Sequence, residues 1–370
     1  IRMCNELLEN IDRVPDLDPE LKKRYIGEAK VLRAYNYYEL YTKFGDVPYT
    51  TKVLSIKESM SIARTAKATV IANVLADLDE VINGNYLPTS YDADNKGRIT
   101  RWAAMAIKAK IYLFEGNWTQ VKNITSTIMT EGGFKLFESY AGLFEIANEY
   151  NSEVILDAQY RPTSREHQMM YVFLPPTLGG YSQLSPLQEL VDSYIMLDGK
   201  TIKETGTSFD ESHPYANRDP RLKATVMYTG NSYTLADGTE VVINCEKGEG
   251  KDGYGVGSDC SATGYYIKKY WDNTYRATLY SGLNPILIRY ADILLMNAEA
   301  LAELGELDKT AWDATIKPIR DRAGFTLASA LEFPEGASKD KLIEIVRNER
   351  RSELAFEGHR HKDIIRWRIA

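Results

Sequence analysis

Ile345-Val-Arg-Asn-Glu-Arg-Arg-Ser-Glu-Leu-Ala-Phe-Glu-Gly-His-Arg-His-Lys-Asp-Ile-Ile-Arg-Trp367 interleaves basic and acidic side chains around a thin apolar seam. A solvated helix face does not call for so many arginines beside Trp and Phe. Each guanidinium carries a planar fork of donors that matches a carboxylate. Arg347, Glu349, Arg350, Arg351 and Glu353 therefore read as a charge-assisted network that locks one element against another. Arg33 and Glu28, and farther on Arg289 and Glu299, are set in apolar stripes in the same way. Such pairs register neighbouring helices, so they identify a fold and name no ligand.

The rest of the first half reads as helix. Asp18-Pro19 supplies an N-cap and a proline for the first helical position. Leu21, Tyr25, Ala29, Leu32, Tyr35 and Leu40 follow at helical spacing until Gly45 and Pro48 end the run. The helix should be roughly 26 residues and about 39 Å long. A second is expected over about 67–82 on the stripe Val70, Val74, Leu75, Leu78 and Val81, and a third from Ala103 to Glu115 behind a Thr100 cap. Ala109 to Gly116 leading into Trp118, and Ala298 to Gly305 leading into Leu307, place a small residue the same distance before a turn glycine and then start another helix. That is the signature of tetratricopeptide-like helical repeats. Residues 150–285 change character, with Gly clusters, Pro175-Pro176 and short β-like runs such as Val154-Ile-Leu-Asp157. The scaffold resumes at Pro285, and its C-terminal helix starts near Ser338.

Several further segments, in order, carry a resemblance to one family: Ala29 to Pro48, Asp192 to Gly199, Arg218-Asp-Pro-Arg-Leu222, Gly264-Tyr-Tyr-Ile-Lys-Lys-Tyr270, Arg289 to Ala300, Ile319-Arg-Asp-Arg-Ala-Gly324 and the C-terminal stretch. Together they resemble the SusD/RagB family of outer-membrane nutrient-binding lipoproteins. The resemblance implies a mainly α fold, a tetratricopeptide-like scaffold with a loop-rich insertion containing minor β-structure. In that arrangement 1–149 and 286–370 form the scaffold and 150–285 bears the ligand surface of a single domain. It implies a non-catalytic protein without cofactor, lipid-anchored on the extracellular face of the outer membrane. Such a protein binds glycans and delivers them to a TonB-dependent, SusC-like transporter. The family's secretion signal, lipid-bearing cysteine and first helices would lie upstream of Ile1, and its tail beyond Ala370. His361 departs from the family, which usually has an aromatic residue there. The RagB branch keeps a peptide ligand open, and a purely protein-binding scaffold is a third reading.

Composition narrows the classes. The 370 residues are 44% hydrophobic and 26% charged, as in globular proteins, with a net charge of −7 that argues against nucleic acid as partner. No run of apolar residues is long enough for a transmembrane helix. Cys4 reads as a packing residue, whereas Cys245 and Cys260 flank a Gly-rich loop and could close it as a disulfide. Asp92-Ala-Asp94 imitates an EF-hand start, but Lys96 and Ala103 stand where ligands are needed. His359 and His361, two apart on a helix, point in different directions and do not chelate a metal together. His167 and His213 lie in no nucleophile motif, although a glycosidase needs only two placed carboxylates.

Tyrosine is the outlier, with 25 Tyr and 5 Trp against 10 Phe. Rings with a polar edge suit surfaces where one face stacks and the tip hydrogen-bonds. Tyr171, Tyr181 and Tyr254 lie in Gly/Pro-rich stretches, and Trp271, Tyr275 and Tyr280 in another irregular one. These six, with Asn273, Asp272 and Arg276 as hydrogen-bonding neighbours, are the candidate ligand-binding residues, expected to stack on pyranose faces. The competing reading is that the rings pin the insertion onto the helices.

Overall fold

Capping and apolar periodicity lay down the helices, and charged pairs set their register. The computed structural model describes residues 1–369 apart from 273 and 275–278. The chain divides into two units, Ile1–Gly133 with His361–Ala370, and Phe134–Arg360.

The first unit contains α1 (Arg2–Asn10), α2 (Pro19–Phe44), α3 (Ile56–Ser61), α4 (Lys67–Asn83), α5 (Arg101–Phe114) and α6 (Trp118–Glu131). The side chain of Asp18 accepts the Leu21 N–H at 2.8 Å, and α2 runs 26 residues from there to Gly45, as its caps predict. Val31, Ala34 and Tyr41 of α2, Val74 and Leu78 of α4, and Ile107 and Ile111 of α5 form its buried core. Arg33 is buried among them. Its fork donates to Asp77 Oδ2 from Nε (3.0 Å) and Nη2 (2.7 Å), and its Nη1 reaches Asn5 Oδ1 of α1 at 3.1 Å. Glu28 takes both arms of Arg98, at 2.8 and 2.7 Å. Both residues thus register elements, as read from the sequence. Asp92 caps a short turn by accepting the Asn95 N–H, which is its role in the EF-hand-like run.

The second unit carries β1 (Val154–Asp157), the short helices α7 (Met169–Phe173), α8 (Gln188–Ser193) and α9 (Pro220–Thr225), then β2 (Val226–Met227), β3 (Ser232–Thr234), β4 (Glu240–Val242), β5 (Tyr266–Ile267) and β6 (Ile286–Arg289). It closes with α10 (Tyr290–Leu304), α11 (Lys309–Ala314), α12 (Ile316–Ala323), α13 (Ala328–Leu331) and α14 (Lys339–Glu353). The strands pair antiparallel in twos, β1 with β6, β2 with β5 and β3 with β4. The minor β-structure expected within 150–285 is there, with β1 pairing to β6 just beyond it.

The repeat glycines behave alike. Gly116 (φ 72°) and Gly305 (φ 74°) end α5 and α10 in the left-handed region, where a Cβ is strained. In each case the next residue's N–H closes back over the turn, Asn117 onto Tyr112 O (2.9 Å) and Glu306 onto Leu301 O (2.8 Å). A new cap, Asn117 or Asp308, then starts the following helix.

The C-terminal network lies inside the second unit. Arg289 Nη1 bridges Glu153 (2.7 Å) and Glu353 (2.6 Å), and its Nε reaches Glu357 at 2.7 Å. Arg221 pairs with Asp219, Glu349 and Glu353 at 2.7, 2.7 and 2.8 Å, and Arg322 with Glu153 and Glu353. Lys269 Nζ sits 2.6 Å from Glu357, and Arg350 reaches Asp292 at 2.6 Å. Burial by itself would raise the carboxyls of Glu349, Glu353 and Glu357, but the surrounding cations hold all three below the usual carboxylate range.

The cysteines need a correction. All three are free, so Cys245 and Cys260 do not close the Gly-rich loop. Cys260 Sγ turns to the Lys251 carbonyl at 3.3 Å. Cys245 is packed in the core, where burial pushes its thiol up to about 12.

Candidate functional site

Met170 and Phe173 bury one side of α7 and leave Tyr171 half-buried on another. Pro175 and Pro176 cannot extend that helix. The chain turns back through Gly179 and runs alongside α7, with Tyr181 N–H donating to Tyr171 O and Leu184 N–H to Val172 O, both at 2.8 Å. This return stacks the two tyrosine rings, with centroids 5.5 Å apart and planes 12° from parallel. Tyr181 is 45% exposed.

Tyr254 belongs to the Gly-rich loop that touches this turn. Buried Asp252 accepts the Thr177 N–H at 2.8 Å and the Thr177 hydroxyl at 2.5 Å, while its own carbonyl takes the Tyr266 hydroxyl at 2.6 Å. Tyr254, two residues on, is 41% exposed and tied back through its N–H to Cys245 O (3.3 Å). Asp252 thus joins the two loops that present Tyr181 and Tyr254. Tyr280, also 41% exposed, adjoins a β-bridge between Ser281 and His167.

Trp271 is placed differently from the expectation. It is 9% exposed, its indole N–H donates to Thr234 O at 2.8 Å, and its ring meets Tyr233 edge-on at 5.1 Å. These contacts pack Trp271 against β3, within the insertion itself. Asp272, expected to meet ligand hydroxyls, is also buried. It accepts the Ser281 hydroxyl (2.5 Å) and the Thr274 N–H (2.9 Å). Asn273, Tyr275 and Arg276 lie outside the described residues.

Sequence reading passed over the exposed Leu184 and Leu187, which follow Tyr181 on the same loop. Their signal was weak: apolar residues three apart, with Pro186 ruling out a helix. It also passed over a group of acids. Asn284 donates its backbone N–H to Glu149 (2.7 Å) and its side-chain amide to Asp157 (3.2 Å). Burial raises both carboxyls, and Asp157 and Asp272 add to the rise at Glu149. Protein donors thus reach both acids. His167 is likewise engaged, its Nε2 lying 2.8 Å from Leu283 O and its Nδ1 accepting the Met169 N–H at 3.3 Å.

Comparison with known proteins agrees with this architecture. Residues 142–370 match the SusD family. The chain belongs to that family. Residues 1–113 match a further family described as starch-binding and associating with the outer membrane. SusD-like protein P25 of Formosa agariphila is 28% identical, over 99% of this SusD-family chain and 68% of its own length. A SusD-like carbohydrate-binding protein from Bacteroides fragilis superposes with a TM-score of 0.86 at 28% identity, covering 100% of this chain and 71% of that one. A laminarin-binding SusD-like protein does so with a TM-score of 0.69 at 25% identity, covering 99% and 75%. The family and the helical, tetratricopeptide-like fold read from the motifs are both correct. No helix among the described residues is long and apolar enough to cross a membrane.

Proposed function

We propose that this SusD-family protein binds glycans at the surface formed by Tyr171, Tyr181 and Tyr254, with Tyr280 as a further contact. The reading extends to a lipoprotein on the outer membrane's extracellular face that hands its glycan to a TonB-dependent, SusC-like transporter. It acts as a binding subunit, and catalysis has no part in it. The observation that carries it is the parallel Tyr171–Tyr181 stack, held by two backbone hydrogen bonds and anchored through Thr177–Asp252. A flat, part-exposed ring supported from beneath by a second ring offers an apolar face to a pyranose at little cost in side-chain entropy. The carbohydrate-binding and laminarin-binding relatives support the ligand class.

Affinity electrophoresis of the chain through gels containing plant, host and microbial polysaccharides tests this, with a peptide mixture titrated in parallel. Retardation by one glycan class, weakened about tenfold by Tyr181→Ala, is the expected result, since an aromatic contact of this kind is worth ~0.5–1.5 kcal/mol beyond its buried area. Binding of peptides with silence from every glycan would overturn the reading. Co-purification with a membrane barrel protein tests the transport half separately.

A further inference from the structure

A second cleft lies within the first unit, away from the tyrosine loops in sequence. It has a volume of about 540 Å³ and is lined by Arg24 of α2, Arg101 of α5 and the Asn85-to-Thr89 segment that follows α4. The segment is pinned by buried Leu87 and by the Arg101 N–H on Pro88 O at 2.9 Å, so its position does not depend on the cleft being filled.

The two arginines are held without being neutralised. Among the described residues, Arg24 makes no ion pair. Its guanidinium lies 5.7 Å from the centroids of both the Tyr25 and Tyr91 rings, and its Nε is buried without a hydrogen-bond partner. Packing against aromatic rings therefore fixes the side chain where a carboxylate usually would. Glu28, one turn along α2, is occupied by both arms of Arg98. Arg101 Nη1 is steadied by a neutral acceptor, Asn85 Oδ1, at 2.6 Å. This contrasts with Arg33 and Arg98 in the same unit, each of which is closed onto an acid.

The cleft also contains Asp18 and Glu20. Asp18 accepts the Leu21 N–H as the cap of α2, and both acids are solvent-exposed, where water screens them. Lys23, outside the lining, lies 5.6 Å from the centroid of the Tyr86 ring that lines the cleft. A concave site with two pre-positioned guanidinium forks, one tyrosine wall and hydroxyl-binding groups at Thr89 and Glu20 has the donor set for a sugar bearing an oxyanion.

We propose that this cleft is a second glycan subsite that takes an acidic sugar, with a uronate carboxylate or a sulfate ester against Arg24 and Arg101. The proposal rests on the glycan reading above for the nature of the ligand and adds its charge.

The test is calorimetric titration at low salt with two matched pairs, an oligogalacturonide against its carboxyl-reduced counterpart and a sulfated galactan oligosaccharide against its desulfated form. At least one acidic sugar is expected to bind about tenfold more tightly than its neutral partner, a difference of about 1.4 kcal/mol. The preference should disappear in Arg24→Gln and in Arg101→Gln without a change in thermal unfolding, and should weaken with added salt. The pair that shows the preference tells carboxylate from sulfate. Equal binding within both pairs, no binding of either acidic sugar, or a preference that survives both substitutions would overturn the subsite. Among the described residues, Asn85 is the side-chain hydrogen-bond partner of Arg101, so its variant keeps the test open should Arg24→Gln disturb the ring packing. Tyr181→Ala separates the two sites. A preference for acidic sugars that persists while neutral polysaccharides no longer bind supports the cleft, whatever becomes of the tyrosine surface.

Discussion

The seam around Arg289 and the tyrosine surface around Tyr181 belong to one unit, and both use side chains with a flat body and a polar rim. In the seam the donors are closed on protein: Arg289 alone reaches Glu153, Glu353 and Glu357. At the surface, ring faces are supported from behind, and Tyr181 and Tyr254 stay part-exposed. The difference teaches that buried charge in this fold works as registration, while exposed aromatic area is what remains for a ligand.

Breaking the seam should have the largest effect. Arg289→Ala takes one cation from each of three buried carboxylates, which keep Arg221, Arg322 or Lys269, and is expected to cost about 3–5 kcal/mol, because their desolvation penalty stays while part of its compensation is lost. Urea unfolding would show it as a lower midpoint with an unchanged slope. A loss below about 1 kcal/mol would mean that water or neighbouring arginines compensate, and the contrast between the regions would fail.

Acid should loosen the seam next. Glu349, Glu353 and Glu357 are held below the ordinary carboxylate range in the fold. Their stabilisation is complete above the ordinary carboxylate range and is lost as pH falls through that range to the lower folded values. Glu149 and Asp157 are raised by burial and act with the opposite sign. Their folded forms hold protons at higher pH than the unfolded chain does. That part of the unit gains stability as pH falls through their folded values towards the ordinary carboxylate range. Hydrogen exchange resolved by segment across mild and strong acid would show protection rising first near Glu149 and falling later at α14. A uniform response would remove the distinction.

Asp252→Ala sharpens the other side of the comparison. It removes two hydrogen bonds to Thr177 and is expected to cost about 1–3 kcal/mol. Faster exchange should be confined to residues 175–181 and 246–256, with weaker glycan retention and an intact seam. The smallest effect is expected from reductant. With Cys245 and Cys260 free, intact mass and thermal unfolding should be the same with and without it.

Local chemistry made some elements legible. Asp18-Pro19 and Gly45 bound α2 at both ends, because a cap and a left-handed glycine act on the backbone beside them. Gly116 and Gly305 marked the repeat for the same reason. The arginines of the seam were visible as misfits among Trp and Phe. Several of their pairings were not: Glu153 carries no local mark, Arg322 and Lys269 stand in quoted segments that give no sign of a partner, and they meet Arg289, Glu353 and Glu357 only through folding.

The candidate site divides along the same line. Tyr181 and Trp271 look alike in sequence, each an aromatic residue in an irregular stretch without periodicity. Tyr181 sits on a returning segment that stacks it on Tyr171 and leaves it part-exposed, while Trp271 is drawn inward by Tyr233 and the Thr234 carbonyl. Sequence alone determined the family, the helical scaffold and the use of buried charge, because caps, turn glycines and apolar spacing act over a few residues. Tertiary structure alone decided which rings face solvent and which arginines close onto an acid, because burial and pairing depend on segments that are distant along the chain.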